Sequence, residues 1–413
     1  MEEGNCCHLV KGLYSEILKM AGITYGEFMN IDEDLRFLSG HHQYYRQQQT
    51  VPQTVQEYVP ENQPEVGILS SVTKKDRSEA DIEQAQKFAG FSVGIASLIT
   101  ESLISHPCIV IRRQCQVHHK SHRFHLTPFT LFPVILKLQR RQGFGTLWKG
   151  AGSVFILRGL TLVTETLVSE FSPLPREINQ YSSLKHIFQH LALKCITYTV
   201  LTPFYSASLV ETVQSDIASE KPGVLDTLKE GLFRLTCWRK PRTNRLIPIW
   251  MLVGPSVLHG LLHYVVSSVV QSLSSWFINL NIQREKERLG IEEKDHVGVT
   301  HQCFSDLTAI FMGNFVADII VFPSETVLHR LFLQGTRTII DNLDCGTSVT
   351  PVITRYEGPF DCIETILEEE GAAGLYKGFG ALLLQYLLHA AILKGTRVIL
   401  DEVMFAVRKA RKR

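Results

Sequence analysis

Pro323-Ser324-Glu325-Thr326-Val327-Leu328-His329-Arg330 is the stretch on which the fold turns. It stands at the end of an apolar run over roughly 305–323 and sets an acid and a base within two helical turns of a proline. Proline lacks a backbone N–H and its ring crowds the preceding turn, so a helix arriving at Pro323 is expected to bend or end there. Pro107 closes a run over roughly 88–106 in the same way, and Pro203 closes one over 185–203. The intervals between these prolines are 96 and 120 residues. That period describes a threefold repeat of helix, proline bend, loop, short helix and helix.

Three more apolar runs lie between and after the prolines, at about 150–171, 246–280 and 377–406. Leu246 to Gln283 contains no Asp, Glu, Lys or Arg, and about 20 apolar residues suffice to cross a bilayer as a helix. The other runs hold Glu101, Arg158, Glu165, Lys194, Asp318, Lys394 and Arg397 inside or near them. A charge at the bilayer centre costs at least about 2.5–3.5 kcal/mol, so these side chains should face a polar interior. The expected fold is an all-α membrane protein, six transmembrane helices in three pseudo-repeats around a polar-lined centre. A soluble helical bundle is the competing fold, and the charge-free run argues against it. Gly90 and Gly94 form a small-xxx-small pair that lets a neighbouring helix approach.

The 413 residues carry a net charge of +1, which conceals a split. Residues 1–86 hold 7 Lys/Arg and 14 Asp/Glu, a net of −7, and residues 87–413 hold 35 and 27, a net of +8. A chain that is 45% hydrophobic is not wholly disordered, and the charge balance gives no case for a nucleic-acid partner. Nine cysteines without regular spacing do not form a secreted disulfide framework. The expected organisation is an acidic, largely disordered N-terminal arm (1–86), a first repeat (87–180), a degenerate second repeat (181–290) and a third repeat with a basic tail (291–413).

The arm opens with Glu2 and Glu3, unlike an Arg-rich import presequence, and has no secretory signal or myristoylation glycine. Leu9, Val10, Leu13, Tyr14, Ile17 and Leu18 share one helical face, which predicts a short partner-docking helix over 8–20. Cys6 and Cys7 beside it are either palmitoylated or plain thiols. Residues 41–64, rich in Gln, Tyr and Pro, read as a tether with too little apolar surface to offset ordering entropy. Arg408, Lys409, Arg411, Lys412 and Arg413 form a basic tail, solvated or drawn to anionic lipid by about 1 kcal/mol per cation.

After Pro323–Arg330 come Tyr356, Gly358, Asp361, Glu370-Gly371 and Tyr376-Lys377-Gly378. After Pro107-Cys108-Ile109-Val110-Ile111-Arg112-Arg113-Gln114 come Gln142-Gly143 and Trp148-Lys149-Gly150. Order, spacing and residue types together resemble the mitochondrial carrier family, solute carrier family 25. Its signature is proline, an acid two residues on, two bases, and later a glycine and an aromatic–basic–glycine triplet. On that resemblance the signature residues are Pro107, Arg112, Pro203, Pro323, Glu325 and Arg330. The stretches His106–Val117, Leu126–Thr130, Ser169–Ile178, Pro203–Ser215 and Gln334–Asn342 are similar to a carrier-like branch of the mitochondrial outer membrane. The resemblance covers roughly 88–405 and leaves out the arm. It implies a multi-pass outer-membrane bundle working in mitochondrial fusion, fission and cristae organisation. It also implies mitofusins, the inner-membrane fusion dynamin and the MICOS complex as partners.

In exchanging members the acid and first base of successive signatures pair across repeats. Here the acid positions hold Ile109, Tyr205 and Glu325, and the base positions hold Arg112, Ser208 and Leu328. One pair survives, Arg112 with Glu325, and an exposed pair contributes only about 0–1 kcal/mol. This predicts a non-exchanging adaptor. The alternatives are an active solute or lipid transporter and a lipid-handling scaffold. Gly143, Trp148, Lys149, Gly150, Gly371, Tyr376, Lys377 and Gly378 stand where carriers hold anionic phospholipid. The same glycines serve equally well as simple turns. His259 and His263, one turn apart, lack a third metal ligand and read as packed or cavity-facing. His118, His119, His122 and His125, among Lys120 and Arg123, read as a solvated basic loop. Cys108 and Cys115 form no CxxC. No nucleotide-binding, hydrolase or metalloprotease motif occurs, so no enzyme, cofactor or metal site is expected.

Overall fold

The computed structural model describes residues 103–176, 183–216, 226–236, 246–289, 299–344 and 348–411. The acidic arm, most of the first apolar run and the Gly90/Gly94 pair lie outside them. Helix α1 occupies 103–117 and contains Pro107. A 3-10 turn (Pro128–Thr130) leads into the short α2 (Phe132–Gln142), and a second one (Phe144–Trp148) leads into α3 (Ala151–Phe171). The succession long, short, long recurs with α4 (Leu184–Val213), α5 (Asp226–Thr236) and α6 (Ile249–Leu289). It occurs a third time with α7 (Val299–Leu333), α8 (Pro359–Glu369) and α9 (Phe379–Arg411).

Of the two outcomes expected at the prolines, bending or ending, the helices do not show the second. α1, α4 and α7 continue past Pro107, Pro203 and Pro323 to 117, 213 and 333, ten residues each time. Loss of one i→i−4 hydrogen bond bends a helix without ending it when neighbours hold both halves. The ten added residues carry the polar signature positions beyond the apolar run, and they pack on one another.

Among the described residues, four helical segments are long and apolar enough to cross a membrane: Phe144–Phe171, Ile249–Glu285, Phe304–Leu333 and Ala372–Ile399. α4 has the length, 30 residues, but Lys185, Lys194 and Glu211 lie within it. Leu258, Leu262, Val265, Val269 and Leu273 are exposed along α6, with Trp250 and Trp276 exposed towards its two ends. An apolar face flanked by tryptophans is what a bilayer selects at its core and interfaces.

One buried cluster joins the three proline helices, mostly beyond their prolines. It contains Val117 of α1, Leu201, Tyr205 and Val213 of α4, and Val327, Leu331 and Phe332 of α7. A second cluster sets Ile111 and Cys115 of α1 against Leu131, Val134, Leu138 and Leu147. Val134 and Leu138, one turn apart, bury the inner face of α2, each contributing roughly 1.5–3 kcal/mol. Lys137, Arg140 and Arg141 stay outside. A hairpin, β1 (Ile339–Asp341) with β2 (Val349–Pro351), pairs Ile340 with Thr350, and Gln214 bridges to Ile340 from the end of α4.

Candidate functional site: the closed end of the proline helices

Arg112 and Glu325 meet across α1 and α7, Nη2 to Oε1 at 3.2 Å, with side chains 2% and 10% exposed. The pair is buried, so the exposed-pair energy does not apply. Breaking a buried pair by removing one partner costs about 3–5 kcal/mol. The second oxygen of Glu325 extends the contact. A carboxylate only accepts, so Gln116 must turn its amide nitrogen to Oε2, at 2.9 Å. That leaves Gln116 Oε1 to accept from His329 Nδ1 at 2.7 Å. His329 Nε2 then accepts from the Tyr205 hydroxyl at 2.7 Å. The charge on Glu325 thus fixes every donor in a chain running through α1, α7 and α4. Arg113 lies 5.4 Å from the centre of the Tyr205 ring and donates to Thr212 Oγ1 at 3.2 Å. Tyr205 fills an acid position and keeps α4 tied by a hydroxyl where a carboxylate is absent. Ser208, at a base position, shares a 2.7 Å hydrogen bond with Ser153 of α3.

Two lysine-centred clusters flank this chain. Arg330 grips Glu370 with two hydrogen bonds, at 2.7 and 2.9 Å, and Lys377 Nζ lies 2.7 Å from the same carboxylate. Lys377 also donates to the carbonyls of His118, His119 and Ser121 at 3.1–3.3 Å. These are the acceptors just past the C-terminal end of α1, where a cation is favoured. Lys149 does the same for α4, donating to Gln214 O at 2.9 Å and pairing with Asp341 at 2.9 Å. The adjoining glycines bring the chain close enough. A side chain at Gly150 (φ 71°) would reach within 2.5 Å of Thr212 Cγ2, and one at Gly378 (φ 82°) within 2.7 Å of Cys115 Cβ.

Asp341 accepts from Gln142 at 2.8 Å, Gln114 at 3.3 Å and Ser215 at 2.6 Å as well as from Lys149. Burial alone would raise its carboxyl. Lys149 and the hydroxyl of Ser215 reverse that and hold it below the ordinary value. Asp344, close by, is likewise lowered against burial, by the backbone N–H groups of His122 and Arg123 and by the Ser121 hydroxyl.

A model of the family described as mitochondrial carrier protein matches residues 84–171 and 300–405. The mitochondrial outer membrane protein SLC25A46 of Gallus gallus is 49% identical over 323 residues, 78% of each chain. The protein of the same name in Homo sapiens is 48% identical over 324 residues, 78% of this chain and 77% of its own. Solute carrier family 25 member 46-A of Xenopus laevis is 48% identical over 323 residues, again 78% and 77%. The chain belongs to the mitochondrial carrier family. It is a multi-pass protein of the mitochondrial outer membrane, as its relatives are named.

The carrier signature accounts for where most of the singled-out residues lie. Pro107, Pro203 and Pro323 sit inside α1, α4 and α7, and Arg112, Glu325 and Arg330 are buried at their far ends. Gly143 (φ 83°) and Gly371 (φ 73°) end α2 and the segment after α8. Trp148 donates to Leu103 O at 3.0 Å, and Tyr376 stacks on Phe322 with ring centres 5.7 Å apart. Lys149 and Lys377 point inward. The N–H groups of Gly378 and Gly380 donate to the carbonyls of Phe124 and His125, both at 2.9 Å. The basic loop is not solvated as read: His118 and His125 are buried. Burial, with Arg330 and Lys120 nearby, lowers His119 to about 4. His259 bonds Ser324 Oγ at 2.7 Å, and His263 pairs with Asp318 at 2.8 Å. Gln116, His329, Asp341 and Asp344 were not singled out from sequence as functional positions. Gln116, His329 and Asp341 fall inside stretches that carry the resemblance, which is the one signal that pointed near them.

Proposed function

We propose that this carrier-family chain is a non-exchanging adaptor of the mitochondrial outer membrane. A six-crossing bundle of three pseudo-repeats anchors it, and the acidic arm, 1–86, with the surface loops docks other machinery. By resemblance that machinery serves mitochondrial fusion and fission, cristae organisation and phospholipid handling, with mitofusins, the inner-membrane fusion dynamin and the MICOS complex as partners. The chain performs no covalent chemistry of its own. The observation that supports this reading is the buried network around Glu325. Alternating access requires closed and open forms of comparable stability. Parting α1, α4 and α7 here strands Glu325, Arg112 and Asp341 from their partners together.

Purified full-length protein in liposomes is expected to exchange no nucleotide, carboxylate or amino acid above a protein-free control. Exchange at carrier-like rates overturns the reading. Proximity labelling from the arm in intact mitochondria is expected to mark fusion or cristae proteins, and labelling of bulk outer-membrane proteins alone removes the adaptor half. A phospholipid contact at this end would rest on exposed Gly143 and Trp148, since Lys149 and Lys377 are engaged within the protein.

A second reading, an active solute or lipid transporter, is favoured by ion pairs inside the membrane bundle. Lys194 meets Glu165 at 3.0 Å, and Asp318 joins His263 to the Tyr386 hydroxyl, at 2.8 and 2.7 Å. Intramembrane charges commonly line a path for a substrate or ion. Under that reading, reversing Arg112 and Glu325 singly should abolish transport and reversing both should restore it.

A further inference from the structure

We infer that residues 335–344 and 348–356 form a built-in strap that fastens the ends of the three proline helices, with Asp341 as its buckle. The proposal rests on the non-exchanging reading for its consequence, since a strapped end does not open. The sequence already makes room for it. Gln114 precedes Gly143 by 29 residues, whereas the corresponding Arg330 precedes Gly371 by 41. The additional chain contains β1 and β2; its first half runs inward, with Ile340, Asp341 and Leu343 each no more than 2% exposed, while β2 covers it from outside with Val349 and Ile353 exposed.

Every proline helix is tied to this segment. α7 is continuous with it, and Gln334 closes the return by exchanging two hydrogen bonds with the Tyr356 backbone, at 2.9 and 2.7 Å. The end of α4 joins it through Ser215 N, which donates to Ile339 O at 2.8 Å, and through the bridge of Gln214 to Ile340. α1 joins it through Gln114. The turn after α1 joins it through Asp344, which accepts from Ser121 Oγ, His122 N and Arg123 N at 2.8–3.1 Å. Leu343 packs into the cluster that holds Cys115 and Ile111.

The chemistry says why an aspartate stands at 341. Glutamines occupy both positions, 114 and 142, that correspond to Arg330 and Glu370, so Lys149 has no carboxylate in its own segment of the signature. The strap supplies one from the third segment. An ionised carboxylate has about four lone-pair sites, and Asp341 has four donors, from Gln114, Gln142, Lys149 and Ser215. No site is left for a bound ligand. The group is saturated by the ends of α1 and α4 and by the chain around α2, so those elements cannot part without stripping a buried charge of its partners.

The test uses the full-length protein in lipid nanodiscs. In the wild type, the Ser215 and Val352 amides, which donate to Ile339 O and Thr338 O, are expected to exchange hydrogen at least ~100-fold more slowly than unprotected amides. Asp341→Asn is expected to raise alkylation of buried Cys115, read by peptide mapping, by about tenfold. Glu364→Gln on the exposed face of α8 should leave it unchanged. Unprotected Ser215 in the wild type, or Cys115 as shielded in folded Asp341→Asn as in wild type, overturns the strap. Should Asp341→Asn fail to fold, the exchange measurement on the wild type decides alone. Solute exchange by a wild type whose Ser215 stays protected sinks the adaptor reading and upholds the strap, so the two failures are distinguishable.

Discussion

Two polar clusters hold corresponding places in this molecule and are built on opposite plans. Around Glu370, the acid and both bases, Arg330 and Lys377, come from one segment of the signature. Around Asp341, the segment supplies Lys149, Gln114 and Gln142, and the acid arrives from elsewhere in the chain. Lysine-to-carboxylate distances are nevertheless close, 2.7 and 2.9 Å. The difference teaches that the clasp between a lysine and a carboxylate is the retained element, while the source of the carboxylate is free to move. A carboxylate supplied locally stabilises one segment. Supplied from another segment, it also ties the two together.

The sharpest way to break that comparison is to remove each acid in turn. Glu370→Ala leaves two buried cations without an anion. We expect a loss of about 3–5 kcal/mol, read as the largest fall in thermal midpoint in detergent. Asp341→Asn leaves one cation, Lys149, which keeps the Gln214 carbonyl and an amide oxygen as acceptors. The expected loss is about 1–3 kcal/mol. A larger effect from Asp341→Asn than from Glu370→Ala would show that the borrowed acid carries more of the fold than the local one.

A relocation then separates clasp from tie. Gln142→Glu in the Asp341→Asn background rebuilds the first cluster on the local plan. Stability should return to within about 1 kcal/mol of wild type, since the two sites are coupled neighbours. Protection of the Ser215 amide should not return. Recovery of both would mean that the strap is held by its β pairing and Leu343 without help from the charge.

How much of this was legible in the residues follows from the same contrast. Pro107, Pro203 and Pro323 marked the three repeats, though not how far their helices continue, and the charge-free Leu246–Gln283 spelled out a crossing helix, because period and composition act locally. Arg112 with Glu325 could be named as a pair because signature positions fix which helix faces meet. What sequence could not give was the depth of that pair, or its extension through Gln116, His329 and Tyr205. Gln116 and His329 look like generic polar residues, and Tyr205 like a lost acid, until α1, α4 and α7 are seen to run ten residues past their prolines. Asp341 was hidden for a related reason. An acid 192 residues from Lys149 has no local pattern to announce it, and only the packing of three segments brings it under the lysine.

The smallest expected effect is on acid stability, and it falls on the turn after α1, which the strap and the Glu370 cluster both hold. His118, His119 and His125 lie in the turn that Asp344 and Lys377 hold. Burial lowers all three, despite the opposing pull of Asp344 on His118 and His125, and His119 falls to about 4. In the unfolded chain they take up protons near the ordinary value of about 6.5. Below that pH the unfolded state binds more protons than the folded state, so stability must fall as pH drops from about 6.5 towards 4. Asp341 and Asp344 act later and in the same direction. Their folded values lie below the unfolded carboxylate value, so their contribution is full above about 4 and lost only as pH falls through the lower, folded value. The midpoint should therefore decline in two stages. His119→Asn should flatten the first stage and leave the second, with a shift smaller than that of Asp341→Asn. Glu370 pulls His118 and His119 up and Lys377 holds their carbonyls, so Glu370→Ala should lower the whole curve and steepen its upper limb. A histidine variant that left the upper limb intact would place the early proton uptake elsewhere.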